Sequence, residues 1–314
     1  MHKTKVFVTL RHEIQLMGKV FFIEQSVSAD KVGYEFLCEL YENMHTANNE
    51  NITIDFGKCK KFDANLSSVL GSIFDKRKNE GCPVYLKPPQ AAGVRRALSR
   101  NKFFRAFDLN TENEDRENYI DFKRFGVSDT EAFKKYIDVE LVQKQKFPDC
   151  TEKAKTKIIE SIYEIFANAV SHGGCNYVYC CGEVHPRDGK TMLDMTFVNL
   201  GLSVVDNVNR YMEEKKLPVY SSCEALDWAF EEGHTTKQDT GGLGLSILKD
   251  FIKMNEGTIQ MISGDAMLEI EGDTHYKTKL DKWFYGTIVT VEFNCDDDKM
   301  YLTTDEVPDI NNLF

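Results

Sequence analysis

The chain is short of positive charge: 39 lysines and arginines stand against 50 aspartates and glutamates, for a net charge of −11. Nucleic-acid binders and proteins held on anionic membranes need a cationic footprint, so neither class is expected. No apolar run reaches membrane-spanning length, and no basic start leads into an apolar core. A membrane span and a secretory leader are therefore not expected either. There is no C-x-x-C, and the nine cysteines follow no repeating spacing. This speaks against a zinc framework or a disulfide scaffold and for reduced thiols in a cytoplasmic protein. Cys180 and Cys181 are neighbours, which on a strand face opposite sides. With the seven histidines scattered, no structural metal is expected. What remains is a chain of 314 residues, 42% hydrophobic and 28% charged, with room for about two globular domains.

Residues 1–112 alternate short strands (5–10, 20–24, 51–56, 83–86) with helices (32–48, 65–77, 94–100), the pattern of a small α/β layer. Ile52, Ile54 and Phe56 alternate with Thr53 and Asp55, and Leu66, Val69, Leu70 and Ile73 form one helical face. Arg95, Arg96, Arg100, Lys102 and Arg105 read as a solvated basic helix face or a docking patch. Residues 113–118, within the polar acidic run Asn-Thr-Glu-Asn-Glu-Asp-Arg-Glu-Asn, read as a linker. The second domain then spans 119–295, followed by an acidic tail (296–314) expected to be loosely held.

Within that domain, Ile158 to Gly173 predicts an amphipathic helix. Ile158, Ile159, Ile162, Ile165, Phe166 and Ala169 share one arc, while Ser161, Glu164, Asn168, Ser171 and His172 lie opposite. Glu164 and Asn168 are four apart, so a carboxylate and an amide point the same way from adjacent turns. Asn168 is a poor helix former where Lys or Glu would serve better, which argues against a merely solvated face. A hairpin follows (176–183 and 190–198, with a turn at 185–189) and runs into Asn199-Leu200-Gly201. A helical segment at 223–231 leads to Gly233-His234-Thr235-Thr236-Lys237. Next comes Thr240-Gly241-Gly242-Leu243-Gly244-Leu245, opening a helix to about Met254. Three glycines before a helix let backbone N–H groups approach anionic oxygens. The run is neither a Walker loop nor a first-strand dinucleotide turn. Strands at 257–263 and 286–293 close the domain.

Taken together, E-x-x-x-N-A-x-x-H, N-x-G after a hairpin and G-G-x-G-L opening a helix resemble the GHKL, or Bergerat-fold, ATPases. These include gyrase-type ATPases, histidine kinases and anti-sigma-factor serine kinases. The first half resembles the STAS-like domain through its element order and through Phe62-Asp63-Ala64-Asn65-Leu66-Ser67-Ser68. Asp63 fits that family's Asp-Ser-Ser-Gly phosphorylation turn, but Ala64 and Asn65 replace the serines and Leu66 the glycine. The resemblance thus implies a protein-contact module more than a phospho-acceptor. The expected fold class is α/β (α+β), a small STAS-like domain followed by a Bergerat-type α/β sandwich.

The GHKL resemblance implies ATP and Mg²⁺ as ligands, with Glu164 as general base and Asn168 as the Mg²⁺ ligand. His172 would support the site, and Gly201 would let backbone approach the base. Thr240, Gly241, Gly242, Leu243, Gly244 and Leu245 would cradle phosphates, and Thr235, Thr236 and Lys237 would close over them from a lid. The family's D-x-G-x-G becomes Asn199-Leu200-Gly201-Leu202-Ser203. An amide at 199 carries both an acceptor and a donor, so it suits the adenine amino group or a guanine carbonyl. Two functions follow from the resemblance: a Mg²⁺-dependent ATPase or protein kinase, or a nucleotide-gated interaction switch. Either takes a protein partner through the STAS-like half or the lid, and a homo-oligomer stays open. The strand-rich first half argues against a histidine kinase, which needs a phospho-accepting helix pair there.

Overall fold

The computed structural model describes residues 18–109, 117–231 and 243–306. The expected strand at 5–10, most of the linker, and the lid and glycine turn at 232–242 lie outside the described residues.

The first half runs β1 (Gly18–Phe22), β2 (Ser26–Val27), α1 (Lys31–Met44), β3 (Asn51–Asp55), β4 (Lys61–Phe62), α2 (Ser67–Asn79), β5 (Val84–Lys87), α3 (Ala92–Arg100) and α4 (Phe103–Ala106). A 3₁₀ turn, Ala64–Leu66, leads into α2. β1, β3 and β5 pair in parallel, in the order β1-β3-β5, through βαβ crossovers, while β2 pairs with β4. Asp30 caps α1 by accepting the Gly33 N–H at 2.9 Å.

The second half holds β6 (Tyr119–Gly126), α5 (Thr130–Ile137), α6 (Glu152–His172), β7 (Tyr177–Arg187) and β8 (Lys190–Leu200). It continues with α7 (Val204–Glu214), α8 (Ser222–Phe230), α9 (Leu243–Met254), β9 (Thr258–Glu271) and β10 (Thr274–Asn294). The five strands form one antiparallel sheet, β6-β7-β8-β10-β9. Asp188 and Gly189, with φ of 51° and 80°, make the tight β7–β8 turn. The architecture is mixed α/β, as the sequence predicts. No helix among the described residues is long and apolar enough to cross a membrane.

Both faces of this sheet are covered, so β8 is buried almost end to end instead of alternating. Leu193, Met195 and Phe197 face one core with α5, α6 and α9. Tyr179 and Val198, with Ile262, Phe284 and Ile288, belong to a second core shared with Leu37, Val69, Ile73 and Phe103 of the first half. Cys180 and Cys181 divide between those faces: Cys180 lies in the helical core, and Cys181 lies 3.4 Å from Asn101 Nδ2 of the first half. All nine cysteines are unpaired.

Polar contacts cross the same boundary. Tyr34 Oη donates to Gln260 Oε1 at 2.6 Å, and Asn65 Nδ2 donates to Thr196 Oγ1 at 3.1 Å. Arg124 pairs with Asp75 at 2.7 Å, and Lys102 of the basic cluster pairs with Asp121. Ala64, Asn65, Leu66, Ser67 and Ser68 are fully buried at this boundary. The segment that resembles a phosphorylation turn is therefore spent on an intramolecular contact.

Three features differ from the sequence reading. β9 and β10 run well beyond the expected 257–263 and 286–293. Their outer part carries Glu269, Glu271, Lys277 and Lys279, whose polarity reads as loop. α7 has no counterpart in the sequence reading; Ser203 and Asp206 start it with a capping box. The start of the tail is docked: Tyr301 is 6% exposed, sits 4.8 Å from the Phe251 ring, and donates its N–H to Asp149 O at 2.8 Å.

Candidate functional site

A cavity of about 150 Å³ opens between α6 and the helical face of the sheet. Its walls are largely apolar, with Ile165, Val178, Phe197, Met261 and Val289 among them. Polar groups enter at few points: Asn168 and His172 from α6, Asn199 from β8, Asn207 from α7, Glu231 after α8, Ser246 from α9 and Thr287 from β10. An apolar slot with few fixed polar groups suits a flat heterocyclic ligand.

α6 is the organising element. Thr151 caps it, accepting the Ala154 N–H at 3.2 Å, and it stays helical for 21 residues to His172. Its last turn is tied to the strand that follows the site. Leu202 N–H donates to Gly173 O at 2.8 Å, and Asn207 Nδ2 donates to His172 O at 3.0 Å. Gly201 serves this junction: a Cβ there would lie 1.9 Å from Gly173 O. Gly201 and Glu164 are not among the residues lining the cavity, whereas Asn168, His172, Asn199 and Leu245 are. Glu164 lies one turn before Asn168 on the same half-buried face of α6.

Asn199 is 4% exposed, and its Nδ2 has no hydrogen-bond partner. A buried amide N–H left unpaired costs about 1–3 kcal/mol, and this one packs against Gly173, where a Cβ would lie 2.5 Å from it. Thr287 pairs with Asn199 across the β8–β10 register, and its hydroxyl lies 3.1 Å from Ser263 Oγ. Gly286, at φ 147°, permits this pairing, because a Cβ there would lie 2.0 Å from Asn199 O. Ser263 also accepts the Val204 N–H at 2.9 Å and donates to Gly286 O at 2.5 Å. One serine thus joins β9, β10 and the start of α7 beneath the cavity.

Ser203 stands where the resemblance would place a second glycine. Its backbone is extended (φ −77°) and its side chain caps α7, so glycine is not required there. Thr287, Asn207, Ser246 and Trp228 line the cavity, and the sequence reading gave none of them a role in the site. The Gly-Thr pair opening the strand at 286–293 is the signal that could have exposed Thr287. Asn207 sits on the helix that the sequence reading lacks. α9 begins at Leu243, and Leu245 and Ser246 of its first turn reach the cavity wall. Thr235, Thr236, Lys237, Thr240, Gly241 and Gly242 lie outside the described residues, as does the side chain of Leu243, while Gly244 falls within α9. Among the described residues, no group of three or more His, Cys, Asp or Glu side chains is placed to hold a metal ion. No protein-family model and no curated protein sequence matches the chain.

Proposed function

We propose that the cavity between α6 and the sheet binds an adenine nucleotide with Mg²⁺, and that the protein hydrolyses ATP or transfers its γ-phosphate. The observation that carries this reading is the convergence of Asn168, His172 and the Asn199 amide on one cavity with largely apolar walls. The Watson–Crick edge of adenine offers N1 as an acceptor for that amide, and its amino group is a donor that the other end of the same amide accepts. Asn168 fits Mg²⁺, which keeps most of its waters and takes one or two protein oxygens beside the phosphates. When bound, Mg²⁺ would neutralise phosphate charge. The glycine run precedes α9, whose first-turn N–H groups suit anionic oxygens. Glu164 would orient or deprotonate the attacking hydroxyl from the turn of α6 beside Asn168.

The second reading, a nucleotide-gated switch without turnover, draws on Asn199 in place of the aspartate of the family it resembles. Mixing γ-labelled ATP with excess protein and Mg²⁺ separates the two. Labelled phosphate, free or on protein, is the expected result. Label retained on bound, intact ATP favours the switch, and label that stays unbound rejects both.

A further inference from the structure

Two helices contribute separate parts of the cavity wall: Trp228, Ala229 and Phe230 come from α8, Leu245 and Ser246 from α9. Their apolar sides meet in one core, where Leu226, Phe230 and Leu248 are buried. A polar bridge joins them as well, through His275 of β10. His275 Nδ1 lies 2.6 Å from Asp227 Oδ1 of α8, and its Nε2 lies 3.2 Å from Lys249 Nζ of α9. All three side chains are half-buried. Asp227 directly precedes Trp228, and Lys249 lies one turn beyond Leu245, so both ends of the bridge sit beside residues that line the cavity.

The partners fix the tautomer. A carboxylate can only accept and an ammonium can only donate, so both contacts are hydrogen bonds only in the neutral imidazole with its hydrogen on Nδ1. A second proton would sit on Nε2 and point at the Lys249 ammonium. The link to α8 would survive as an ion pair, and the link to α9 would become a repulsion between like charges. Imidazole changes charge between about pH 5 and pH 8. The neighbouring charges are otherwise engaged. Lys277 of the same strand pairs with Asp227 Oδ2 at 2.7 Å, and Lys253 of α9 pairs with Asp273 in the β9–β10 turn at 2.6 Å. Glu269 and Glu271 of β9 alternate with Ile270, the residue paired with His275, and so face the other side of the sheet. Against its own burial, the Asp227 carboxyl is held below the usual range by His275 and Lys277, so it stays an anion while the imidazole titrates.

We propose that His275 is a positioning residue for the cavity: its neutral imidazole ties α8 to α9, and its protonation releases α9, so that nucleotide affinity falls as pH drops. The bridge is a property of the cavity wall; only its effect on affinity rests on the nucleotide reading.

The test compares the wild type with His275→Gln, whose amide offers an N–H to Asp227 and an oxygen to Lys249 and so keeps the bridge without a titrating group. In a shared Trp283→Phe background the one remaining tryptophan is Trp228, whose emission reports the α8 wall with no ligand present. That emission should step between about pH 8 and pH 5 with His275 in place, and the step should be absent in His275→Gln. The affinity for ATP with Mg²⁺ should fall by about threefold or more from about pH 7.5 to pH 5.5 relative to His275→Gln, whose own fall measures the titration of the ligand. No emission step, an equal step in both proteins, or affinities that fall alike would overturn the proposal. An emission step that needs His275, with no ATP bound at any pH, upholds the bridge and rejects the nucleotide reading alone.

Discussion

Asn199 and Glu164 divide the work of the proposed site between recognition and chemistry. In that proposal Asn199 would meet the base with a buried amide, whose N–H is unpartnered among the described residues. Asn199→Asp removes that donor and leaves an acceptor suited to the adenine amino group. It should shift the ATP-to-GTP affinity ratio toward ATP by about tenfold, the scale of one buried polar mismatch. Competition between the two nucleotides for the purified variant measures this, and an unchanged ratio would remove residue 199 from base recognition. Glu164 lies outside the cavity wall, so Glu164→Ala should abolish turnover while leaving nucleotide affinity within about twofold, a shift of well under 1 kcal/mol. Turnover that survives the change would exclude Glu164 as the base.

At the scale of elements, the contact between α1 and β9 turns on the Tyr34 hydroxyl, fully buried and 2.6 Å from Gln260 Oε1. Tyr34→Phe strands that acceptor and should cost about 1–3 kcal/mol, read as a lower unfolding midpoint in denaturant. An unchanged midpoint would mean that Gln260 repairs itself elsewhere. Elements with strong local signals were legible in the sequence. Ile52, Ile54 and Phe56 are buried as their alternation predicts; of the arc on α6, Ile158, Ile162, Ile165 and Phe166 are buried, Ile159 and Ala169 are half-buried, and Ser161, expected opposite, is buried. The outer β9–β10 hairpin was not legible, because its solvated part carries charge on both faces and its pairing is set by tertiary register. The cavity followed the same rule. Asn168, His172, Asn199 and Leu245 sit in local motifs, whereas Thr287 reaches the site only through its pairing with β8.

For the whole molecule, the sheet is a shared floor, with the proposed nucleotide cavity on one face and the first half on the other. Two titrating groups at that second interface, Glu183 and His185, pull stability in the same direction. Burial raises Glu183 from 4.5 to about 7, so its contribution is present below 4.5 and is lost as pH rises through 7. His185, against its own burial, is raised from 6.5 to about 9 by Glu292 and Asp194. Its contribution is full below 6.5 and is lost as pH rises through 9. The melting temperature should therefore fall between about pH 5 and pH 9, and Glu183→Gln should flatten the lower part of that fall. A flat wild-type profile would mean that the interface relaxes its charges without cost.

The most direct test of the nucleotide reading is calorimetric titration of ATP with Mg²⁺ into the wild-type chain and into Asn199→Ala, with the fold of both checked by circular dichroism. One site per chain, weakened by about tenfold or more in the variant, is the predicted result. No binding to the folded wild type, or equal affinity for both proteins, would contradict the assignment of this cavity to a nucleotide.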